Sequence, residues 1–376
     1  MSLLSCKPFS AWLAALACLL AAPAGAVPIT YDMVTVGNPG NANNPAVIGI
    51  YEGYGDDLPE AGGVAYDYQI GKYDVTIGQY TAFLNAVAAT DTYSLYNSSM
   101  RIDGNIAGIL RSGGSGRGYT YSVLGSANRP ITYVSWWDSA RFSNWMANGQ
   151  PSGVQNSTTT ENGAYNVNGA TNGIAPAKNV INPNTGATPA FYIPLENEWY
   201  KAAYYSPTLN SGSGGYYAYA TQSNTDPGNV VGSDANQANY NNGVYSVTQS
   251  PSYVSSQNYL TDVGAFTNSG SSYGTFDQSG NVWQWIDNDL DGAAGSDRVL
   301  RGGNWFSYAF WLSSSYSYSY DPSVEDSGIG FRLASPVSVL SSGHSGVPEI
   351  DPNGLSAVLG LLAAGLGLLE RRRYGR

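Results

Sequence analysis

The side chains that most often carry nucleophilic or redox chemistry are scarce in this chain and lie near its ends. Both cysteines, Cys6 and Cys18, are close to the N-terminus, and the single histidine, His344, is close to the C-terminus. The long middle of the sequence therefore offers no thiolate or imidazole for copper, zinc or iron, and no cysteine nucleophile. A Ser–His–Asp mechanism fails there for the same reason.

Carboxylates are more numerous, and two groups have spacings that suggest a chemical role. Glu196 and Glu198 could form a glycosidase pair, but residues two apart on a helix point to different sides, so a structural role is favoured. The acidic stretch 287–292 resembles the front of a calcium loop. An EF-hand would require glutamate where Arg298 stands, so we expect a solvated acidic turn instead.

A segment rich in serine and tyrosine is the strongest candidate for binding. Ten of the fourteen residues from Ser307 to Tyr320 are Ser or Tyr. Tyrosine supplies a large amphipathic contact area at low entropic cost, and serine adapts its hydrogen bonding, which is why antibody combining loops use both. The predicted ligand contacts, suited to sugars or to protein partners, are Asn304, Ser307, Tyr308, Trp311, Tyr316, Tyr318 and Tyr320.

Composition describes the scaffold that must hold these residues. The 376-residue chain is 43% hydrophobic, enough for a sizeable core, but only 11% charged, against about 25% in ordinary globular proteins. The formal net charge is −11. This acidic balance argues against nucleic acid as a partner, because nucleic-acid binding needs a basic surface. It permits cation binding.

Periodic patterns predict few regular elements. Three helices are predicted near 76–87, 135–148 and 195–204, the first starting with Thr76 and Gln79 at capping-box spacing. Short strands are predicted at 68–73, 282–286, 298–305 and 330–333. The Gly/Ser/Asn-rich stretches 150–190 and 206–260 are predicted to be long loops.

The N-terminus has the order of a secretory signal. Lys7 precedes an apolar run over 9–22, and the small residues that follow predict cleavage by signal peptidase after Ala26. Residues 1–26 are therefore expected to be a signal peptide, followed by an N-terminal extension over 27–64. The alternatives are a short anchor and a lipoprotein, although Ala15 stands three residues before Cys18 where lipoproteins usually have leucine.

The C-terminus has three parts that follow a linker over 336–346. Residues 347–352 read VPEIDP, an apolar run covers 355–369, and three arginines follow at 371–373. This order resembles the PEP-CTERM sorting signals of Gram-negative bacteria over 347–376. The resemblance implies transient membrane anchoring through 355–369, recognition by an exosortase, removal of the tail, and a main domain outside the inner membrane. A plain C-terminal anchor is the alternative, although a helix over 355–369 covers only about 22 Å of a roughly 30 Å hydrocarbon core.

Between the two ends, six motifs occur in a fixed order. They are IGKYDVT (70–76), VSW (134–136), IPLENEW (193–199), GNVWQW (280–285), RVLRGGNW (298–305) and GFR (330–332). Together they resemble the formylglycine-generating enzyme (sulfatase-modifying factor) family over residues 65–335. The resemblance implies an irregular α+β fold related to C-type lectins, loop-rich and with little regular secondary structure.

The same resemblance implies two cysteines that bind copper and oxidise a substrate cysteine. Counted from the paired glycines 302–303, the matching positions hold Ser307 and Leu312, and Asn304 stands where that enzyme has a serine. Neither side chain can bind Cu(I) as a thiolate, so we expect no copper and no formylglycine generation. We expect no iron either, because the related ergothioneine-type iron enzymes use a histidine cluster.

The family commonly binds structural Ca²⁺, and the resemblance implies two ligand sets. The first comprises the side chains of Asp277 and Gln284 and the carbonyls of Gly280 and Val282. The second begins with Asn239 and the carbonyl of Tyr240. Calcium favours oxygen ligands of these kinds, backbone carbonyls included. The alternative for the first set is a turn held by hydrogen bonds alone.

These observations leave three functional hypotheses. The leading one is an exported, non-catalytic binding or structural module at the cell surface or in an extracellular matrix, in contact with exopolysaccharide or a surface protein. The second is an enzyme of the family with an atypical, cysteine-free mechanism. The third is a display protein in which 304–329 is diversified, since that interval carries the variable surface in retroelement-diversified proteins with this fold.

Overall fold

A computed structural model describes residues 28–45, 60–114, 117–289 and 297–337. The predicted signal peptide, the sorting tail with its apolar segment 355–369, and most of the linker before that tail lie outside the described residues. Among the helices of those four ranges, none combines the length and the apolar character that crossing a bilayer requires.

The three predicted helices are present, together with a short fourth one. The helices are α1 (Ile77–Val87), α2 (Ser99–Ile102), α3 (Trp136–Ala147) and α4 (Glu196–Tyr204). The predicted capping box starts α1, because the Thr76 hydroxyl accepts from the backbone N–H of Gln79 and the Gln79 side chain accepts from that of Thr76. Every residue of α3 is buried, so this helix crosses the interior of the protein.

The strands are short and form small mixed sheets. They are β1 (Met33–Val36), β2 (Tyr68–Gly71), β3 (Ile109–Gly114), β4 (Gly118–Val123), β5 (Tyr205–Ser206), β6 (Gly215–Tyr216), β7 (Trp283–Asp289), β8 (Arg298–Arg301), β9 (Tyr318–Tyr320), β10 (Ile329–Gly330) and β11 (Ala334–Pro336). One sheet has the antiparallel order β1-β2-β11. Another has the order β10-β7-β8-β9, in which β10 runs parallel to β7 and the remaining pairs are antiparallel. Strands β3 and β4, and β5 and β6, form two hairpins.

The structure departs from the predicted strands in identifiable ways. The strand predicted at 298–305 ends at Arg301, because Gly302 and Gly303 adopt positive φ angles of 101° and 73° that a strand cannot continue. Strand β1 lies in the stretch predicted to be an extension, and it pairs with β2. The β3–β4 hairpin was not predicted. The segment Leu209–Gly212 between β5 and β6 is a turn with left-handed residues inside it.

The largest apolar cluster packs α1 and α3 against the β7-containing sheet. Phe142 of α3 lies 5.2 Å from Phe83 of α1 and 5.4 Å from Phe331, measured between ring centroids. Trp285 of β7 is buried in the same cluster and donates its indole N–H to the Val134 carbonyl. Aromatic side chains of this kind bury large areas and dominate core energetics. They fix the sheet whose edge strand, β9, is the last part of the serine- and tyrosine-rich segment.

Candidate functional site

The serine- and tyrosine-rich segment leaves β8 through the paired glycines and returns to the same sheet. A 3₁₀ turn covers Ala309–Leu312, and the segment then forms β9, which pairs antiparallel with β8. Because β9 is the last strand of its sheet, one side of it has no strand neighbour within the described part of the chain. The segment is therefore anchored at both ends by the sheet and lies at its edge.

Asn304 and Ser307 close the turn at the start of the segment. The Asn304 side-chain oxygen accepts from the Ser307 hydroxyl at 2.8 Å and from its backbone N–H at 3.0 Å, and the Asn304 backbone N–H donates back to the hydroxyl at 3.0 Å. Both residues are buried. This geometry gives them a role in shaping the loop, and the ligand contacts predicted for them stay a prediction.

The two positions that match the family's cysteines therefore hold a bonded hydroxyl and a core leucine. Leu312 is fully buried in an apolar cluster with Tyr219, Ala238 and Tyr240, and it packs closely against Gly303. A side chain at Gly303 would collide with Leu312, so the glycine and the leucine fit each other. Nothing in this arrangement supplies a nucleophile or a soft metal ligand.

The other predicted contacts of the segment lie at the surface. Tyr308 is 61% exposed, and Tyr318 and Tyr320 are exposed on β9. Trp311 and Tyr316 are half-buried and stack on each other, with centroids 6.2 Å apart. In the folded chain, each of these five aromatic rings therefore contacts at least one other ring.

Two exposed aromatic residues were not among the predicted contacts, one just before the serine- and tyrosine-rich segment and one within it. Phe306 and Phe310 are both exposed, and Phe310 lies edge-on to Tyr316 with centroids 5.2 Å apart. The sequence signal for these two residues was phenylalanine in or beside a stretch that is otherwise rich in Ser and Tyr. Large apolar side chains that cluster at a surface mark binding sites.

A second chain segment places stacked rings beside the first. Tyr253 lies parallel to Tyr259 at 6.0 Å, Tyr259 stacks on Trp305 at 4.9 Å with planes only 4° apart, and Phe306 meets Trp305 edge-on at 5.0 Å. We call these four residues the aromatic column. Its interior members, Tyr259 and Trp305, are buried, whereas its outer members, Tyr253 and Phe306, are exposed.

The buried Arg301 holds the backbone in the middle of the serine- and tyrosine-rich segment. Its guanidinium donates to the carbonyls of Ser314 and Tyr316, at 3.1 and 2.7 Å, and to the carboxylate of Glu196 at 2.8 Å. Arg301 is completely buried, and Glu196 is the first residue of α4. A buried arginine with these partners ties the segment to a helix far away in sequence.

The two glutamates considered as a glycosidase pair have separate structural tasks. Glu196 pairs with Arg301, whereas the buried Glu198 accepts from the hydroxyls of Tyr66 and Tyr192 at 2.9 and 2.8 Å. Both carboxylates thus have partners within the fold, and the structural role of the pair stays a prediction. In the acidic stretch 287–292, Asp287 is buried 3.8 Å from Arg298 rather than solvated, because it belongs to β7; residues 290–292 lie outside the described ranges.

The first predicted calcium set has its side-chain oxygens engaged within the protein. The Gln284 oxygen accepts from the Trp199 indole N–H and, at 2.6 Å, from Arg332. One Asp277 carboxylate oxygen accepts from the Gly264 N–H at 2.7 Å, and burial raises the pKa of Asp277 to about 6. The Gln284 oxygen is thus not free for a cation in this arrangement, so these residues fit a Ca²⁺ ion poorly.

The Gly280 carbonyl of the first set and the residues of the second set also have hydrogen-bond partners within the protein. The Gly280 carbonyl accepts from the N–H of Val282 at 2.9 Å. In the second set, the Asn239 side chain donates to the Tyr259 carbonyl, and the Tyr240 carbonyl accepts weakly from two side chains at 3.2 Å. Over the described ranges, no cluster of three or more His, Cys, Asp or Glu could hold a metal. Calcium stays a prediction.

The solved structures that this chain matches include those of the following three proteins. Over 82% of this chain and 99% of the other, the crystal structure of CarF shares 20% identity with a TM-score of 0.45. Treponema denticola variable protein 1 shares 18% identity over 83% of this chain and 97% of its own, with a TM-score of 0.45. PvdO from Pseudomonas aeruginosa shares 16% identity over 81% and 94%, with a TM-score of 0.43.

Sequence comparison assigns the family. No curated protein matches the chain significantly. The sulfatase-modifying factor enzyme 1-like domain matches residues 27–337, which includes β1 as well as every motif used in the sequence analysis. With its small mixed sheets, its few helices and this match over most of its length, the chain belongs to the sulfatase-modifying factor enzyme 1-like (FGE-sulfatase) domain family.

Proposed function

We propose that this chain is an exported, non-catalytic binding module on the formylglycine-generating-enzyme-like scaffold. One observation carries the proposal: exposed aromatic rings lie on a firmly anchored segment at the positions where the family resemblance implies a catalytic cysteine pair. Tyr308, Phe310 and Tyr318 present their rings to solvent. The buried turn of Asn304 and Ser307 and the guanidinium of Arg301 hold the backbone beneath them.

Preorganisation supports binding as the role of this surface. Rings that are already packed on other rings lose little conformational entropy when a ligand covers them, so more of the contact energy remains as affinity. A catalytic role lacks equivalent support, because the hydroxyl of Ser307 is buried and bonded to Asn304. The relationship to C-type lectins that the family implies, and its loop-rich character, belong to the same proposal.

The setting of this module follows from the chain ends. In the proposed sequence of events, signal peptidase removes 1–26, the 355–369 segment holds the chain in the inner membrane for a time, and an exosortase recognises the tail from 347 and cleaves it. The module then acts at the cell surface or in an exopolysaccharide matrix of a Gram-negative bacterium. The order of charged, apolar and small residues at the two ends supports this part of the proposal.

Co-sedimentation of the purified full chain with washed cell-surface material tests the binding role. We expect the unaltered chain to sediment with that material and the Tyr308→Ala/Phe310→Ala double variant to lose at least fivefold of the bound fraction. Val180→Ala is the control, since Val180 is an exposed apolar residue outside the segment. Equal sedimentation of the double variant and the unaltered chain would overturn the proposal.

The enzyme alternative makes a different prediction. A cysteine-free oxidase of this family would still oxidise a cysteine-containing peptide with copper or calcium present, whereas we expect no turnover above a buffer control. Diversification of 304–329 remains a hypothesis that sequencing of the neighbouring DNA would test, through a reverse transcriptase and a template copy of the segment.

A further inference from the structure

The two chain segments that meet at the aromatic column share an unusual property: neither carries a charge. No Asp, Glu, Lys, Arg or His occurs in 235–261 or in 302–320. They lie in contact, since the Asn241 N–H donates to the Ser307 carbonyl at 2.9 Å and the Tyr245 ring lies 6.1 Å from that of Trp305. The half-buried Tyr245 also lies 6.3 Å from the exposed Tyr253, so the two uncharged segments pack against each other beside an exposed ring.

The charges that flank these segments do not compensate for their absence. Arg301 precedes the second segment, but it is buried and paired with Glu196. Asp234, Asp262 and Asp321, which border the segments in sequence, are acidic, as is the chain overall with a net charge of −11. Arg129 donates to the Leu260 carbonyl of the first segment, but the acidic residues that border both segments and the net charge of −11 would repel a polyanion at long range. A charged peptide would have to desolvate its charges without pairing them.

What the surface does offer is aromatic faces bordered by hydroxyls. Tyr253, Phe306, Tyr308 and Phe310 expose their rings, and every residue from Ser313 to Tyr320 carries a hydroxyl group. The C–H faces of pyranose rings pack against aromatic rings, while their hydroxyls exchange hydrogen bonds with serine and tyrosine. An uncharged sugar chain satisfies both features at once without burying an unpaired charge.

We propose that this surface binds an uncharged glycan chain and that the 245–259 segment, which carries Tyr253, forms half of the site. The proposal rests on the binding role proposed above and names the chemical class of its ligand. Tyr259 and Trp305, stacked with planes 4° apart, connect the two halves and hold Tyr253 and Phe306 at either end of the column. A ligand that contacts both of these outer rings must extend over more than one sugar unit.

Titration calorimetry of the purified full chain against hexasaccharides of matched length tests this. The neutral probes are cellohexaose, maltohexaose and mannohexaose, and the charged probes are an alginate hexamer and a chitosan hexamer. We expect at least one neutral probe to bind with an affinity that changes less than twofold between 50 and 500 mM NaCl. Tyr253→Ala and Tyr308→Ala should each weaken that binding at least tenfold, and Val180→Ala should not.

The outcomes separate the two proposals. Preference for a charged probe, with strong salt dependence but the same tyrosine dependence, overturns the neutral-glycan assignment and leaves the binding role intact. Tyrosine-dependent binding of a protein from the cell-surface material, with no glycan bound, does the same. If no probe binds and co-sedimentation is also unaffected by the Tyr308 variants, both proposals fail. Circular dichroism of each variant confirms that it is folded.

Discussion

Ser307 stands where the family resemblance implies a catalytic cysteine, and its hydroxyl is bonded within a buried turn. Its hydroxyl both donates to and accepts from Asn304, so the two residues satisfy each other inside the fold. Ser307→Ala would remove the hydroxyl and leave the Asn304 N–H unpaired in a buried turn. We expect a loss of about 1–3 kcal/mol in the free energy of unfolding, measured by urea denaturation.

A serine of the same segment provides the control for that measurement. Ser319 is half-buried on the edge strand β9, and we expect Ser319→Ala to change the free energy of unfolding by less than about 0.5 kcal/mol. If Ser307→Ala were as mild as Ser319→Ala, the Asn304–Ser307 turn would not be the element that shapes the segment.

At the scale of elements, Arg301 connects α4, β8 and the serine- and tyrosine-rich segment. Arg301→Met keeps much of the side-chain volume but leaves the Glu196 carboxylate and two carbonyls without their donor. We expect a loss of about 3 kcal/mol in the free energy of unfolding, because the half-buried Glu196 carboxylate loses its counter-charge and two carbonyls lose their donor. Urea denaturation measures it, with Arg101→Met on the exposed face of α2 as the control.

The same substitution separates loop order from overall stability. Proteolysis under native conditions should cut Arg301→Met within 306–320 faster than the unaltered chain, because the segment loses its central support. Unchanged cutting within that segment, at a similar loss of stability, would mean that Arg301 supports the core rather than the segment.

The elements predictable from sequence are those with a local cause. The Thr76 capping box and the apolar spacing of α1 depend on neighbouring residues, so the helix was predicted with its correct end at Val87. Strand β1 and the aromatic column depend on partners that are far away in the chain. No local pattern marks them, because the pairing with β2 and the stacking of rings exist only after folding.

The candidate site was predictable in the same partial way. Composition identified Tyr308, Tyr318 and Tyr320, which are exposed. It could not reveal that Ser307 is buried, since burial of a polar side chain depends on whether a partner such as Asn304 lies opposite.

For the molecule as a whole, buried carboxyls predict a dependence of stability on pH. Burial raises the pKa of Asp138 to about 6 and, helped by the charge of Asp138, that of Glu325 to about 7. Both values lie above those of the unfolded chain, so the folded state binds more protons between about pH 4 and 7. The stabilisation is complete below this window and is lost as the pH rises through it.

We therefore expect the free energy of unfolding, from urea denaturation, to be larger at pH 5 than at pH 8. Glu325→Gln removes one of the buried titrating carboxyls and should reduce the difference in the free energy of unfolding between the two pH values. Stability that rises steadily from pH 5 to pH 8 would contradict the assignment of these carboxyls as protonated in the fold.

Calcium binding is also a property of the whole molecule, because a structural ion stabilises only the folded chain. If Ca²⁺ binds through Asn239 and Tyr240, millimolar Ca²⁺ added after chelation should raise Tm by a few degrees, and Mg²⁺ should raise it less. Asn239→Ala should abolish the increase. An unchanged Tm would remove calcium from this account, in keeping with the engaged oxygen of Gln284.

We expect a ligand to bind where the uncharged segments 235–261 and 302–320 meet at the aromatic column. Hydrogen–deuterium exchange of the purified full chain, with and without an excess of the three neutral hexasaccharides, tests it most directly. We expect slower exchange in peptides from both segments and unchanged exchange in α1 and the β3–β4 hairpin. Unchanged exchange in both segments, or slowing confined to other parts of the chain, would contradict it.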